Sequence, residues 1–513
     1  MGGCYSVDLK RRLIRHTDLW QFSPPGKVPG GVLVERNPRS VSETFSSRPV
    51  RVAVVGAGPA GVYASDILAK AQKKHDLRFS IDLFDRYPAP FGLIRYGVAP
   101  DHPRIKGIIK ALHKVMDRGD IRLLGNVDIG TDLSIEDLRS HYDAVIFATG
   151  AIKDADLNIP GVELEGSYGA ADFVSWYDGH PDYPRDWPLE AEQIAVIGNG
   201  NVALDVARVL SKHAEDLLTT EIPDNVYREL EKSPVSDVHV FGRRGPAQVK
   251  FTPLELRELS HSRDVDIVLD EEDFDFDEAS DEAIKSNNQI KTMVNTLTNW
   301  LIEQEERTEE ASRRLHLHFL HQPVEILEGK NEDGSGTGKV AGIRFERMEL
   351  DGTGNVKGTG EYLDYEVQAV YRAIGYFGSE VSGIPFDDKR GVILNEAGRV
   401  LDEEGRHIPG TYATGWIKRG PVGLIGHTKG DAMETIDCLI SDIENLPEAE
   451  SPDEQAIVDL LESRGVEYTT WEGWLKLDEH ELQLGQKATA SGSVERERVK
   501  VVPREDMVQI SRA

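Results

Sequence analysis

The segment RVAVVGAGPAGVYASDILAKA, residues 51–71, decides the fold. A short apolar strand runs into a glycine turn, and the turn opens a helix whose apolar residues recur at helical spacing. A second copy of the plan, QIAVIGNGNVALDVARVLSK, occupies residues 193–212. Each is followed by a further strand, SIDLFDR (80–86) after the first and DVHVFGRR (237–244) after the second. The fully apolar YDAVIFATG (142–150) reads as another strand, buried on both faces. Strand, glycine turn, helix and strand make a βαβ unit, so the chain is α/β with two Rossmann-like dinucleotide-binding domains. The first unit starts at residue 51, and ATGW at 413–416 is placed to return to it. The second domain is therefore inserted into the first.

Size agrees. The chain has 513 residues, and single cores stop growing near ~250–300. The domains expected are 49–153 with 372–513, and 154–371 between them, after an extension over residues 1–48. That extension is rich in Ser, Pro and Gly and holds eight Lys/Arg against four Asp/Glu, whereas the whole chain carries −30. It reads as poorly ordered. Its MGGCYS start fits an N-acylation pattern short enough to arise by chance, and LKRRLIRH leaves a transit peptide open. The reading is cytoplasmic, with the mitochondrial matrix as the alternative.

The net charge argues against a nucleic-acid binder. No apolar run approaches the ~20 residues of a membrane span. The two cysteines, Cys4 and Cys438, form no CxxC. A dithiol centre, a zinc ribbon and a cysteine-ligated iron–sulfur cluster are thereby excluded within the chain.

Elsewhere the pattern is coarser. Residues 265–290 are strongly acidic and read as a solvated surface loop. From 315 to 375, LHFLHQPVEILEG, KVAGIRFERMEL and YEVQAVYRAIGY read as antiparallel strands. After ATGW come two helical stretches, 430–443 and 453–465, and then a polar tail.

The glycine loops carry the chemistry. Gly56 permits a tight turn, Gly58 lets the backbone approach a pyrophosphate, and Gly61 lets helix and strand pack closely. The helix start supplies free N–H groups to phosphates. Asp85 ends the next strand, placed to accept hydrogen bonds from a ribose. In the second loop Gly198, Gly200 and Ala203 repeat the spacing, yet no acid ends the following strand. Arg243 and Arg244 stand there instead. A carboxylate would repel a 2′-phosphate, whereas guanidinium groups bind it in bidentate fashion. This domain should prefer NADP(H). The 40 residues from Ala203 to Arg243 imply an insertion at EDLLTTEIPDNVYRELEKSP, 215–234. Two dinucleotide folds imply two different cofactors, and a flavin beside NADPH makes a useful redox pair.

Four stretches carry a resemblance: PFGLIRYGVAPDHPRIK (90–106), VIGNGNVALDVARVL (196–210), GRRGPAQVKFTPLELREL (242–259) and ATGWIKRGPVGLIG (413–426). Over about residues 49–510 the chain resembles the adrenodoxin reductase type of ferredoxin–NADP⁺ reductase, in particular its actinobacterial members. The resemblance implies an FAD enzyme that takes hydride from NADPH and passes single electrons to a ferredoxin or similar small iron–sulfur protein. It implies FAD held by Gly58, Ala60, Asp85, Leu93, Val127, Trp416 and Gly423, Leu424 and Ile425. It implies NADP held by Asn199, Gly200, Asn201, Val202, Arg243, Arg244, Glu255 and Gly423. Asp85 stands where the family more usually has glutamate.

His102 and Glu255 match family residues at the reaction centre. His102 would relay a proton, and Glu255 would meet the nicotinamide carboxamide or ribose. On residues alone, His102 also fits a packing histidine, and Glu255 an exposed helix acid. An acidic ferredoxin needs a basic face, for which Arg104, Lys106, Lys110, Lys114, Lys418 and Arg419 are the candidates. The alternatives are an NADPH-dependent flavin oxidase or diaphorase, or a non-catalytic redox sensor that keeps the nucleotide folds.

Overall fold

Six consecutive buried residues, Val50–Val55, form β1 in the interior of the first sheet. The computed structural model describes residues 48–513 apart from Leu424 and Ser493. The expectations for the extension therefore lie outside the described residues, with one exception. Arg48 is anchored, its guanidinium donating two hydrogen bonds to the buried Asp143, both at 2.7 Å.

From β1 the chain enters α1 (Pro59–His75). Proline at its first turn costs no hydrogen bond, because that N–H has no helical partner. The helix stops where Asp76 turns left-handed at φ 52°. Then come β2 (Phe79–Phe84), β3 (Arg122–Leu124) and β4 (Ala144–Phe147). The second sheet is built from β5 (Ser167–Gly169), β6 (Gln193–Ile197), α2 (Asn201–Ser211), β7 (Asp237–Phe241), α3 (Pro253–Leu259), β8 (Val265–Leu269) and β9 (Arg313–His318). A three-stranded antiparallel sheet follows: β10 (His321–Lys330), β11 (Gly336–Leu350) and β12 (Val356–Tyr365). Then β13 (Ala369–Arg372) returns to the second sheet. The strands β14 (Asn395–Glu396), β15 (Arg399–Leu401) and β16 (His407–Ala413) return to the first. Three long helices close the chain: α4 (Ile425–Ser441), α5 (Trp471–Ser491) and α6 (Arg504–Arg512).

The first sheet runs β14-β15-β16-β4-β1-β2-β3, parallel from β16 to β3. The second runs β5-β13-β6-β7-β9-β8, parallel throughout. In each, the strand before the glycine turn sits between a strand that follows it directly and one reached later. That is the switch point, where a crevice opens at the strand ends. Both sheets belong to one compact unit, 42–513.

Three expectations need correction. Residues 265–290 are not a loop: β8 lies there, and helix Glu278–Ser286 follows, started by Asp277, whose side chain accepts from Ser280 N. Acidic residues at a helix start suit its dipole, so charge density misled. Within 315–375, β9 and β13 are parallel strands and β10–β12 are antiparallel. The tail is not merely polar, since α5 buries Trp471, Trp474, Leu477 and Glu481.

That tail joins the sheets through charge. Arg95, after the first sheet's PFG turn, pairs with the wholly buried Glu481 at 2.5 and 3.0 Å. Nearby Lys106 and Lys500 enclose Asp178 and Glu221 from the second sheet's side, with contacts of 2.6–3.6 Å. Removing one partner of a buried pair leaves the other charge uncompensated, at a cost of ~3–5 kcal/mol. Glu481→Gln should lower the thermal unfolding midpoint markedly, and a midpoint equal to wild type would refute the role given to this pair.

Candidate active site

At the first loop the chain passes where no side chain fits. A Cβ on Gly56 (φ 109°) would sit 2.5 Å from Ala148 O, and one on Gly61 only 1.9 Å from Gly56 O. Gly58 caps α1 and has open space, with only Gly92 Cα at 3.9 Å from its would-be Cβ. A phosphate cradle needs that opening beside free helix N–H groups.

Asp85 braces the turn. Its carboxylate accepts from Ala57 N at 2.8 Å and Tyr87 N at 2.9 Å. Burial pushes it up to about 6, against the lowering by those two N–H groups. The backbone of Asp85 also accepts from Val127 N at 2.9 Å, which places Val127 beside it. Phe91 N donates to Ala57 O at 2.9 Å and brings Leu93, the start of a short helix, to the same turn. From the far end of the chain, Gly415 (φ 74°) lies so close to α1 that a Cβ would meet Ala60 Cβ at 2.6 Å. Trp416 follows it. Asp431 of α4 fixes this corner by accepting from Gly415 N at 2.5 Å. Gly423 is exposed near it at φ 88°; Leu424 lies outside the described residues, as does the Ile425 side chain.

The second loop repeats the close passage. A Cβ on Gly198 (φ 139°) would meet Ala373 O at 2.2 Å, while Gly200 has nothing within 4 Å. Asn199 O accepts from Lys250 N at 3.0 Å, and Asn201 Oδ1 from Thr252 N at 2.9 Å. Both asparagines thus hold the segment that leads to Glu255. Arg243 is exposed and Arg244 half-buried, and neither guanidinium has an ion pair among the described residues.

The two loops meet. Val202 of the second and Trp416, which follows the Gly415 packed on the first, meet on one apolar cluster, Ala151, Ala171 and Tyr376. Beside it His102 Nε2 hydrogen-bonds Asp205 Oδ1 of α2 at 2.7 Å. That carboxylate also takes Arg208 at 2.9 Å, and Arg208 reaches back to Asp101 at 2.7 and 2.8 Å. Glu255 is buried, not exposed as its helix position alone implied, and its Oε2 has no partner. Burial raises its pKa, with the Asp205 charge adding to the shift. Tyr177 and Tyr376, both near Asp205, likewise bury hydroxyls without partners. Orphaned polar groups around a junction are what a bound ligand would satisfy.

The amino-acid pattern here matches known proteins. The family model described as pyridine nucleotide-disulphide oxidoreductase covers residues 50–239. A mitochondrial NADPH:adrenodoxin oxidoreductase of Arabidopsis thaliana is 39% identical over 86% of this chain and 92% of its own. The NADPH-ferredoxin reductase FprA of Mycobacterium tuberculosis is 40% identical over 86% and 95%. The chain belongs to the adrenodoxin reductase family. A solved structure of Mycobacterium tuberculosis FprA in complex with NADPH superposes with TM-score 0.80 at 37% identity, over 91% of this chain and all of that one.

Two of the basic candidates fail as docking residues. Lys106 and Lys418 are buried and paired, Lys106 to Glu221 at 2.6 Å and Lys418 to Glu434 at 2.6 Å. Arg419 is half-buried, 3.7 Å from Asp431, while Lys110 and Lys114 are exposed. The Arg104 side chain lies outside the described residues. Asp205 and Arg208 were missed by sequence reasoning. The signal was present: two charges three apart within the otherwise apolar VALDVARVL of this adrenodoxin reductase family member.

Burial lowers the His102 pKa, but the Asp205 hydrogen bond and charge outweigh it and leave the imidazole above its ordinary value. A raised histidine contributes stability that is complete below the unfolded pKa and is lost as pH rises through the folded one. In Asp205→Asn the two largest raising causes are gone and only the Asp101 charge still opposes burial. NMR titration should then find His102 below 6.5, where the wild type lies above it; an unchanged value would remove Asp205 as the cause.

Proposed function

We propose that this protein is a ferredoxin–NADP⁺ reductase, oxidising NADPH and delivering electrons singly to a small iron–sulfur protein. The observation that carries the reading is the junction of the two glycine crevices at Val202, Trp416, His102 and Asp205. Residues present at each crevice fit the group assigned to it. FAD would lie along Gly56, Gly58, Ala60 and Gly61, with its ribose toward Asp85 and its ring end toward Leu93, Trp416 and Gly423–Ile425. NADP would lie along Asn199–Val202, its 2′-phosphate toward Arg243 and Arg244 and its nicotinamide toward Glu255. Bound flavin supplies the conversion of one hydride into two single electrons. Residues 49–153 and 372–513 would form the flavin domain and 154–371 the NADP domain. That assignment is supported by the strands of the second sheet falling between Ser167 and Arg372.

The chain's own residues do four things. The glycine turns let backbone N–H groups approach phosphates without steric cost. The apolar cluster of Ala151, Ala171 and Tyr376 excludes water where the two rings would meet. His102, charged more readily than a free imidazole, is held by Asp205 beside that point. Glu255 offers an unpaired carboxyl oxygen to a carboxamide or ribose hydroxyl. Among the described residues no helix is long and apolar enough to cross a membrane. The Arabidopsis thaliana relative is named as mitochondrial, which supports keeping the mitochondrial alternative beside a cytoplasmic placement.

Arg243→Ala with Arg244→Ala should raise the NADPH KM about 10- to 100-fold, equivalent to ~1.5–3 kcal/mol for charge-assisted bonds, and leave NADH nearly unchanged. Equal losses for both nucleotides would sink the phosphate assignment. Asp85→Ala should lower the flavin content of purified protein, since it removes the brace of the turn together with the ribose acceptor. Full flavin occupancy in that variant would contradict this placement. Ferredoxin-dependent cytochrome c reduction by the wild type tests the activity itself, and an absence of ferredoxin stimulation would return the reading to an oxidase or diaphorase.

A further inference from the structure

The second sheet carries a polar stripe that the redox reading leaves unused. On the parallel pair β7–β9, Asp237 lies opposite Arg314, His239 opposite His316, and Phe241 opposite His318. Paired residues share a face and alternate along it, so the three histidines stand together. One ring nitrogen of each lies within 4.8 Å of the other two.

Hydrogen bonds fix the tautomers. Gln193 donates its amide to Asp237 Oδ2 at 2.7 Å, which orients the amide and turns Oε1 to His239 Nε2 at 3.1 Å. Asp237 Oδ1 accepts from His316 Nε2 at 2.8 Å, and Asp270 Oδ2 from His318 Nδ1 at 3.1 Å. An amide oxygen and two carboxylates only accept. Each histidine therefore keeps its proton on the bonded nitrogen and, when neutral, has a lone pair on the other. Two of those lone pairs, His239 Nδ1 and His318 Nε2, face each other at 3.0 Å. Two acceptors at that distance repel unless a cation lies between them.

We propose that His239, His316 and His318 bind one divalent transition-metal ion of the zinc type. Imidazole suits such ions. An acceptor behind each ring, here Gln193, Asp237 and Asp270, is the support that metal-ligating histidines need. Bonds of about 2.0–2.1 Å in tetrahedral geometry put ligand nitrogens about 3.3 Å apart, so the His239–His318 pair opens by only a few tenths of an ångström. His316 stacks on His239 with centroids 4.2 Å and planes 13° apart, and must tilt to aim at the ion. Its side chain is 17% exposed, which leaves room for the tilt and a path for the ion. The site staples β7 to β9 next to Gly242, whose N–H donates to His318 O at 2.8 Å.

The test is zinc titration of chelator-treated, dialysed holoenzyme, with metal content and thermal midpoint as readouts. The wild type should take up one zinc per chain and unfold at a higher temperature with it. His316→Asn should bind at least tenfold more weakly, and His239→Asn or His318→Asn should lose the site, while flavin content shows that each variant folds. Uptake no different between wild type and His316→Asn would overturn the site. So would absence of a stoichiometric ion in the wild type, which would assign the 3.0 Å contact to a proton on His318.

Discussion

The arrangement depends on one salt-bridged joint. Asp101 and His102 come from a loop of the first sheet, and Asp205 and Arg208 from the glycine helix of the second. Across the gap His102 meets Asp205 and Arg208 meets Asp101, each at 2.7 Å, while Arg208 also pairs with Asp205 within its helix at 2.9 Å. An apolar contact of similar area would bring the same surfaces together but would tolerate sliding. A bidentate guanidinium pair does not, because its two parallel hydrogen bonds fix direction as well as distance. Hydride transfer needs that precision, since reacting atoms must approach within about 3–3.5 Å.

Charge also explains how the tail is used. Lys500 is fully buried, and burial lowers its pKa to about 8 in spite of Glu221 and Asp178. Lys500 Nζ donates to Arg95 O and to Asp178 O, one group from each side of the molecule. The last forty residues thus tie the first sheet's PFG turn to the second sheet's helices. Buried charges are poor sources of net stability but costly to mispair. Their work here is to exclude other orientations of the two sheets.

Much of this was legible in the amino-acid sequence, because the glycines and the strands around them obey local rules. Gly56, Gly61 and Gly198 are demanded by backbone atoms within 2.5 Å of any Cβ, and such a demand shows as spacing. Trp416 and Val202 were singled out, though only the fold shows that they share a cluster. What stayed hidden was non-local. Lys106 and Lys418 looked like surface cations, yet the acids that neutralise them stand far along the chain, at Glu221 and Asp178 for one and within α4 for the other. The acidic run at 265–290 looked like a loop, because its solvated helix face hides the strand that precedes it. The histidines at 239, 316 and 318 are scattered in sequence, and strand register alone assembles them.

Asp85 shows how a candidate binding residue also serves the fold. Both its oxygens are engaged by backbone N–H groups of the turn they shape, yet the carboxyl remains raised to about 6. Two hydrogen bonds therefore fall short of what burial takes away. An acceptor in that state gains from each further donor, and ribose hydroxyls are donors. A glutamate there would carry its oxygens one methylene further and could not close on Ala57 and Tyr87 from the same backbone position. The shorter acid thus binds its own loop tightly and presents its remaining lone pairs from a fixed place, trading reach for preorganisation.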